Sequence, residues 1–253
     1  MSTYIIAFSP SGGTRAVSEA LAAGFSASVT YIDLMNRRRN FGEVELSAED
    51  ICIVAAPAYG GRAPSVAMNR LRKIRGNGAL AVAVAVYGNR AIEDTLVEVA
   101  DALTEGGFHV CAGVSAVAEH SIMQQFAFGR PNRADRTELA DFARQIREKL
   151  DGGNVDMPAL PGNRPYKEIH RVAMNVQAGD GCIGCGTCAD HCPVGAIPFT
   201  DPGKTIPEIC ISCMGCVAVC PQQARYADPK LLAASIQRLQ AVCEGHKPNE
   251  LFL

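Results

Sequence analysis

Two runs of cysteine constrain this chain more than any other feature. Cys182, Cys185, Cys188 and Cys192 are followed by Pro193, and Cys210, Cys213, Cys216 and Cys220 by Pro221. Each member of the second run stands 28 residues after its counterpart. The repeat extends to Ala196 and Ala224 and to Ile183 and Ile211. Three thiolates with two residues between neighbours, set on a loop, can wrap one corner of a cubane and point inward together. Gly184, Gly186 and Gly215 would let backbone N–H groups approach its sulfurs. The fourth cysteine begins a new turn and faces away, and the proline redirects the chain. Eight of the 11 cysteines lie in this stretch. The opening Met-Ser-Thr-Tyr lacks the pattern of a secretory signal, so such crowding points to metal rather than to disulfides.

The 253 residues suit one medium domain plus a small one. With 48% apolar and 20% charged residues the balance is globular. No apolar run is long enough to cross a bilayer, so no membrane role and a cytoplasmic location are expected. A net charge of −2 argues against nucleic acid as the main partner.

Residues 1–150 alternate strand and helix patterns. Strands are expected at 4–8, 29–32, 51–56, 80–86 and 108–117, and helices at 14–24, 64–75, 91–105 and 135–150. Asp135 and Glu138 would form a capping box on the last of these. The strands are apolar without alternation, the mark of a parallel sheet covered on both faces. Residues 151–170, rich in Gly and Pro, read as a linker. The cysteine-rich domain then spans 171–227, too small for a sizeable apolar core. A final helix and tail occupy 228–253. Asp228 caps this helix, Pro229 is its first residue, and Leu232, Ile236, Leu239 and Cys243 share the face that packs on the rest of the protein. Cys52, Cys111 and Cys243 read as small core residues.

Residues 178–227 closely resemble the bacterial two-cluster ferredoxin family. The resemblance implies two [4Fe–4S] clusters and one-electron transfer. It also implies that the fourth cysteine of each run ligates the other cluster. One cluster would take Cys182, Cys185, Cys188 and Cys220, and the other Cys210, Cys213, Cys216 and Cys192. A pair of structural zinc sites is the competing reading, but zinc usually takes two separated pairs of ligands. His191, between Asp190 and Cys192, is expected to tune a cluster rather than ligate one.

Between the first strand and first helix lies Ser9-Pro10-Ser11-Gly12-Gly13-Thr14. Its glycines let the backbone fold close to an anion, its hydroxyls can donate, and the helix dipole stands behind them. No lysine follows and GxGxxG is absent, so it is neither a Walker loop nor a dinucleotide fingerprint. The segment could equally be a capped helix start. It looks like the phosphate loop of flavodoxins. That resemblance implies a doubly wound five-stranded parallel sheet of order 2-1-3-4-5 and FMN bound at its C-terminal edge. The ring-binding loops would be Pro57, Ala58, Tyr59, Gly60 and Gly61, and Tyr87, Gly88, Asn89 and Arg90. Tyr59 and Tyr87 are the candidate stacking aromatics. Arg62 and Arg90 could stabilise an anionic flavin or form surface pairs. His120 could donate a proton or serve a structural role.

The whole chain resembles the fused flavodoxin–ferredoxin proteins called ferrodoxins. An electron relay with redox protein partners is thereby expected, coupling two-electron to one-electron carriers. An iron–sulfur flavoenzyme that reduces a quinone or nitro compound is the alternative, with residues 118–133 closing its pocket. The basic block Arg37-Arg38-Arg39 would be a solvated loop or a docking patch for an acidic electron carrier. Residues 1–150 carry 16 basic and 16 acidic side chains, unlike the acidic flavodoxins. The family's partner surface therefore does not carry over.

Overall fold

Five strands, four of them largely buried along their length, form the parallel sheet that the lack of alternation predicts. In the computed structural model, which describes residues 2–169 and 173–253, Thr3–Ala7 (β1) lies between Val29–Asp33 (β2) and Ile51–Pro57 (β3). Leu80–Tyr87 (β4) and His109–Val117 (β5) extend the sheet to the order β2-β1-β3-β4-β5. Helices cover both faces. Gly13–Ala22 (α1) and Arg133–Asp151 (α4) bury Val17, Leu21, Leu139 and Ile146 on one side. Ser65–Leu71 (α2) and Thr95–Glu105 (α3) bury Ala67, Leu71, Leu96 and Leu103 on the other. Each large buried aliphatic contributes about 1.5–3 kcal/mol, so these two cores hold the domain.

Several boundaries differ from the sequence reading, each for a local reason. The helix expected at 64–75 stops at Leu71, because the Arg75 N–H donates to Val44 O instead of continuing the helix. The one expected at 91–105 begins only at Thr95, after Glu93 with φ 43°. The cap of α4 is Asn132, which with Asp135 forms the capping box; Asp135 with Glu138 does not. A sixth strand, Glu250–Phe252, was not expected. It pairs antiparallel with β5 and covers what would be an open sheet edge.

The segment read as a linker is tied down along α3. Leu160 packs on the apolar core. Asp94 accepts from the backbone N–H of Asn163 at 2.8 Å and of Lys167 at 2.7 Å, and Asp101 pairs with Arg164. The expected boundary at 170–171 falls outside the described residues.

Beyond it come Gln177–Ala178 (β6), Thr187–His191 (α5), Gly215–Ala218 (α6) and Arg225–Tyr226 (β7), with β6 and β7 paired antiparallel. Helix α7, Pro229–Cys243, follows, and Glu250–Phe252 is β8. The Asp228 side chain accepts from the Lys230 and Leu231 N–H groups, and Pro229 opens α7. Leu232, Ile236, Leu239 and Cys243 pack against Met123 and Phe126. No helix among the described residues is long and apolar enough to cross a membrane.

Candidate functional site

The C-terminal ends of the parallel strands open into a cavity of about 350 Å³, within the usual range for small-molecule sites. Its floor is Ser11, Gly13 and Thr14 from the β1–α1 loop, Pro57 to Gly60 after β3, and Tyr87, Gly88 and Arg90 after β4. Its wall is Ala118 to Met123 after β5. The roof comes from elsewhere in the chain: Met174, Ile211 and Ser212 from the cysteine-rich segment, and Ser235, Arg238 and Leu239 from α7.

The β1–α1 loop is built to leave donors free. Gly12 adopts φ 95°, a left-handed conformation that favours glycine, and starts α1. The N–H groups of Ser11, Gly12, Gly13 and Thr14 find no acceptor among the described residues. Such orphan donors with the helix dipole behind them suit a phosphate. Ser9 is not part of the cavity lining; its hydroxyl accepts from the Arg15 N–H at 2.8 Å, within the first turn of α1.

The remaining expected contacts divide. Tyr59 is half-buried in the cavity wall; burial, with Cys213 close by, pushes its phenol well above the ordinary range. Tyr87 is buried and its hydroxyl reaches Pro248 O at 3.4 Å, which makes it a wall rather than a free stacking ring. Gly88 is required by packing, since a Cβ there would fall 2.7 Å from the His120 ring. Arg90 lines the cavity but is held by Glu93 at 2.6 Å. Arg62 is turned away, paired with Glu98 at 2.7 Å and stacked on Tyr166. Gly61 faces Glu93 and lies outside the cavity lining. Asn89 is also outside it: its Nδ2 donates to Cys243 O at 2.6 Å and Gly245 O at 2.7 Å, holding the end of α7.

His120 lies in the cavity wall with a set tautomer. Its Nδ1 accepts from the N–H groups of Ile122 and Met123, both at 3.2 Å, so the proton sits on Nε2. Burial, with Arg90 contributing, lowers its pKa to about 4, and the ring is neutral at pH 7.

The cysteines form two groups. Cys182, Cys185, Cys188 and Cys220 surround one void together with Arg225. Cys213 lies within electrostatic reach of Cys192, Cys210 and Cys216. Backbone N–H groups approach their sulfurs: Ala196 to Cys192 at 3.2 Å, Ala224 to Cys220 at 3.3 Å and Ser212 to Cys210 at 3.4 Å. Burial pushes the Cys213 thiol up to about 12 and the Cys216 thiol to about 11, whereas Cys185 is exposed and a Thr187 hydroxyl 3.4 Å away lowers it. Among the described residues, no three His, Cys, Asp or Glu side chains converge as the ligands of a single metal ion do. Cys52, Cys111 and Cys243 are buried outside these groups.

Contacts that the sequence did not announce join the two regions. The His191 Nε2–H donates to Pro10 O at 2.9 Å, linking α5, within the first cysteine run, to the β1–α1 loop. Arg70 donates to Pro193 O at 2.6 Å. Arg38 pairs with Asp190 at 2.8 Å, and Arg37 and Arg38 lie over the Phe199 ring. Two of the three residues in the basic block are thus engaged within the chain. None of these pairings has a signal in one sequence, because each depends on how the regions dock.

Residues 181–224 match the family described as the 4Fe-4S dicluster domain. The chain therefore joins a five-stranded parallel sheet of order β2-β1-β3-β4-β5, extended at one edge by β8, to a segment that matches the dicluster family. Over 45 residues it is 51% identical to a protein of the ion-translocating oxidoreductase complex of Methanosarcina acetivorans, a stretch that takes in 17% of this chain and 17% of that protein. A flavodoxin structure from the domain Archaea is similar over 60% of this chain and 99% of its own, with 18% identity and a TM-score of 0.45. Flavodoxin 2 from Bacillus cereus is similar over 59% and 99%, with 15% identity and a TM-score of 0.43.

Proposed function

We propose that this protein is an electron relay between an FMN held in the sheet-edge cavity and two [4Fe–4S] clusters held by the cysteine quartets. Flavin exchanges two electrons and each cluster one, so the pair couples two-electron to one-electron carriers. In this reading Ser11, Gly12, Gly13 and Thr14 grip the phosphate through their backbone N–H groups. Tyr59 flanks the ring, and His120 offers a neutral Nε2–H donor. Cys182, Cys185, Cys188 and Cys220 hold one cluster, and Cys210, Cys213, Cys216 and Cys192 the other.

The observation that carries the proposal is the shared wall. Tyr59 lines the cavity and lies within electrostatic reach of Cys213, while Ile211 and Ser212 from the same cysteine loop roof it. A flavin there would stand beside the second quartet with little protein between. Redox protein partners follow from this reading, and thiolate-held clusters suit the reducing cytoplasm.

Protein purified without oxygen is expected to carry about eight iron atoms and one FMN per chain. Gly12→Val, whose branched side chain strains the left-handed backbone at φ 95°, should lose most FMN and keep its iron. Four irons or fewer after full reconstitution would overturn the cluster half of the proposal, and full iron with no flavin uptake the other half.

A second reading has one observation in its favour. Residues 118–123 close one side of the cavity, as a pocket for a small acceptor requires. A saturable rate with a quinone or nitro compound would support a flavoenzyme; reduction of cytochromes or ferredoxin without such a step supports the relay.

A further inference from the structure

The two halves of the cysteine repeat differ at one buried position. Cys192-Pro193-Val194-Gly195-Ala196-Ile197 is matched, 28 residues on, by Cys220-Pro221-Gln222-Gln223-Ala224-Arg225. The backbone device is the same in both, with the alanine N–H on the cysteine sulfur at 3.2 Å in one and 3.3 Å in the other. Ile197 and Arg225 are each only 3% exposed. Ile197 sits in an apolar cluster with Val176, Cys192 and Cys216. Arg225 puts a full positive charge at the equivalent place.

That charge is not neutralised by any carboxylate among the described residues. Nη1 of Arg225 donates to the Thr205 hydroxyl at 2.9 Å, and Nη2 to Pro202 O and Lys204 O. The buried Nε has no partner among the described residues. An orphaned donor on a buried cation is costly unless something accepts from it. Arg225 also lines the void enclosed by Cys182, Cys185, Cys188 and Cys220. Pro202 O, which takes Nη2, is the same carbonyl the Cys188 thiol faces at 3.7 Å. The guanidinium therefore stands in the wall of the first quartet, with Cys216 of the second within its electrostatic reach.

We propose that Arg225 is a positioning charge that raises the reduction potential of the cluster held by Cys182, Cys185, Cys188 and Cys220 above that of its neighbour. The proposal rests on the two-cluster reading above. Reduction adds one negative charge to a cluster, and a buried cation in the wall of its site stabilises that form in a low dielectric. The Nε–H can donate to a cluster or cysteine sulfur, which acts in the same direction. The second quartet has Ile197 at the matching position, and Arg225 reaches it at Cys216.

The consequence is direction. The quartet of lower potential is the one beside Tyr59 and the cavity. The quartet of higher potential includes Cys185, the one exposed cysteine among the eight. Electrons entering from the cavity side would run downhill toward the exposed end, where a one-electron partner can reach them.

The test is a potentiometric titration of the full holoprotein with dithionite, followed by EPR. Wild type should show two separated midpoints. In Arg225→Ile, which copies the other half of the repeat, the upper midpoint should fall so that the reduced-to-oxidised ratio at fixed potential drops about tenfold, or about 59 mV, and the gap should narrow. If Arg225→Ile fails to hold its iron, Arg225→Lys and Arg225→Gln give the same answer: the lysine variant keeps most of the gap and the glutamine variant loses it. Coincident midpoints in wild type, an unmoved upper midpoint in the variants, or a shift confined to the lower one would overturn the proposal. Absence of clusters from wild type would instead overturn the reading it rests on, and iron analysis of the same sample tells the two apart.

Discussion

The sheet domain and the cysteine-rich segment obtain their cohesion differently. In the first, strands such as Leu80–Tyr87 are buried on both faces and the helices close over them, so apolar burial alone accounts for a stable fold. In the second, the regular structure is two-residue strands and helices of four and five residues. Its apolar cluster is small and includes cysteines of both quartets. A segment of that size needs staples, and the quartets provide them only when they hold something. One part is a fold that offers a site; the other is a site that makes its fold.

The largest effect should therefore come from removing iron. Chelation of the full chain is expected to abolish amide protection at Ala196 and Ala224, whose N–H groups rest on cysteine sulfurs, while the amides of β3 and β4 stay protected. Hydrogen exchange read by mass spectrometry would check this. Loss of protection throughout the sheet would mean that the two parts fold as one unit and would break the contrast.

A smaller effect marks the place where the sheet domain departs from a purely apolar account. His120 is held neutral in the cavity wall with its pKa lowered from 6.5 to about 4. Between these values the unfolded chain binds the extra proton and the folded one does not. Stability from this residue is thus fully present above about pH 6.5 and declines as pH falls toward 4, by roughly 3 kcal/mol. His120→Asn can accept the same two N–H groups through Oδ1 without titrating. Denaturant curves at pH 7 and pH 5 should show a smaller loss in the variant than in wild type. Equal losses would mean that the imidazole is open to protonation in the folded protein.

How far the sequence could be read follows from the same contrast. The parallel sheet was legible because uninterrupted apolar runs such as Ile51–Pro57 have few other uses. The quartets were legible because thiolate spacing is a local rule that survives without a core. The illegible features depend on docking. β8 is three residues whose pairing depends on β5 lacking a neighbour. Asn89 reads as a ring-binding loop residue, yet the end of α7, more than 150 positions away, claims its amide. The roof of the cavity was hidden for the same reason. The spacing of Ile211, Ser212 and Arg238 says nothing of the sheet edge they cover.

The smallest effect concerns the seam between the two parts. Arg38 and Asp190 make a 2.8 Å ion pair across it, but both side chains remain about two-thirds exposed, at 69% and 64%. Such a pair is worth about 1 kcal/mol or less, because water screens it and two long side chains must be ordered to make it. The contact between His191 Nε2 and Pro10 O is half-buried and joins the β1–α1 loop directly. Arg38→Ala should therefore leave the unfolding free energy within about 1 kcal/mol of wild type and change little else. Its effect should also shrink in high salt, since exposed charges are screened beyond about one Debye length. If Arg38→Ala instead loosened the cavity roof, seen as faster exchange at Ile211 and Ser212, the seam would be governed by surface charge. The contrast between a self-sufficient sheet and a site-held segment would then need a third term, the electrostatic clamp between them.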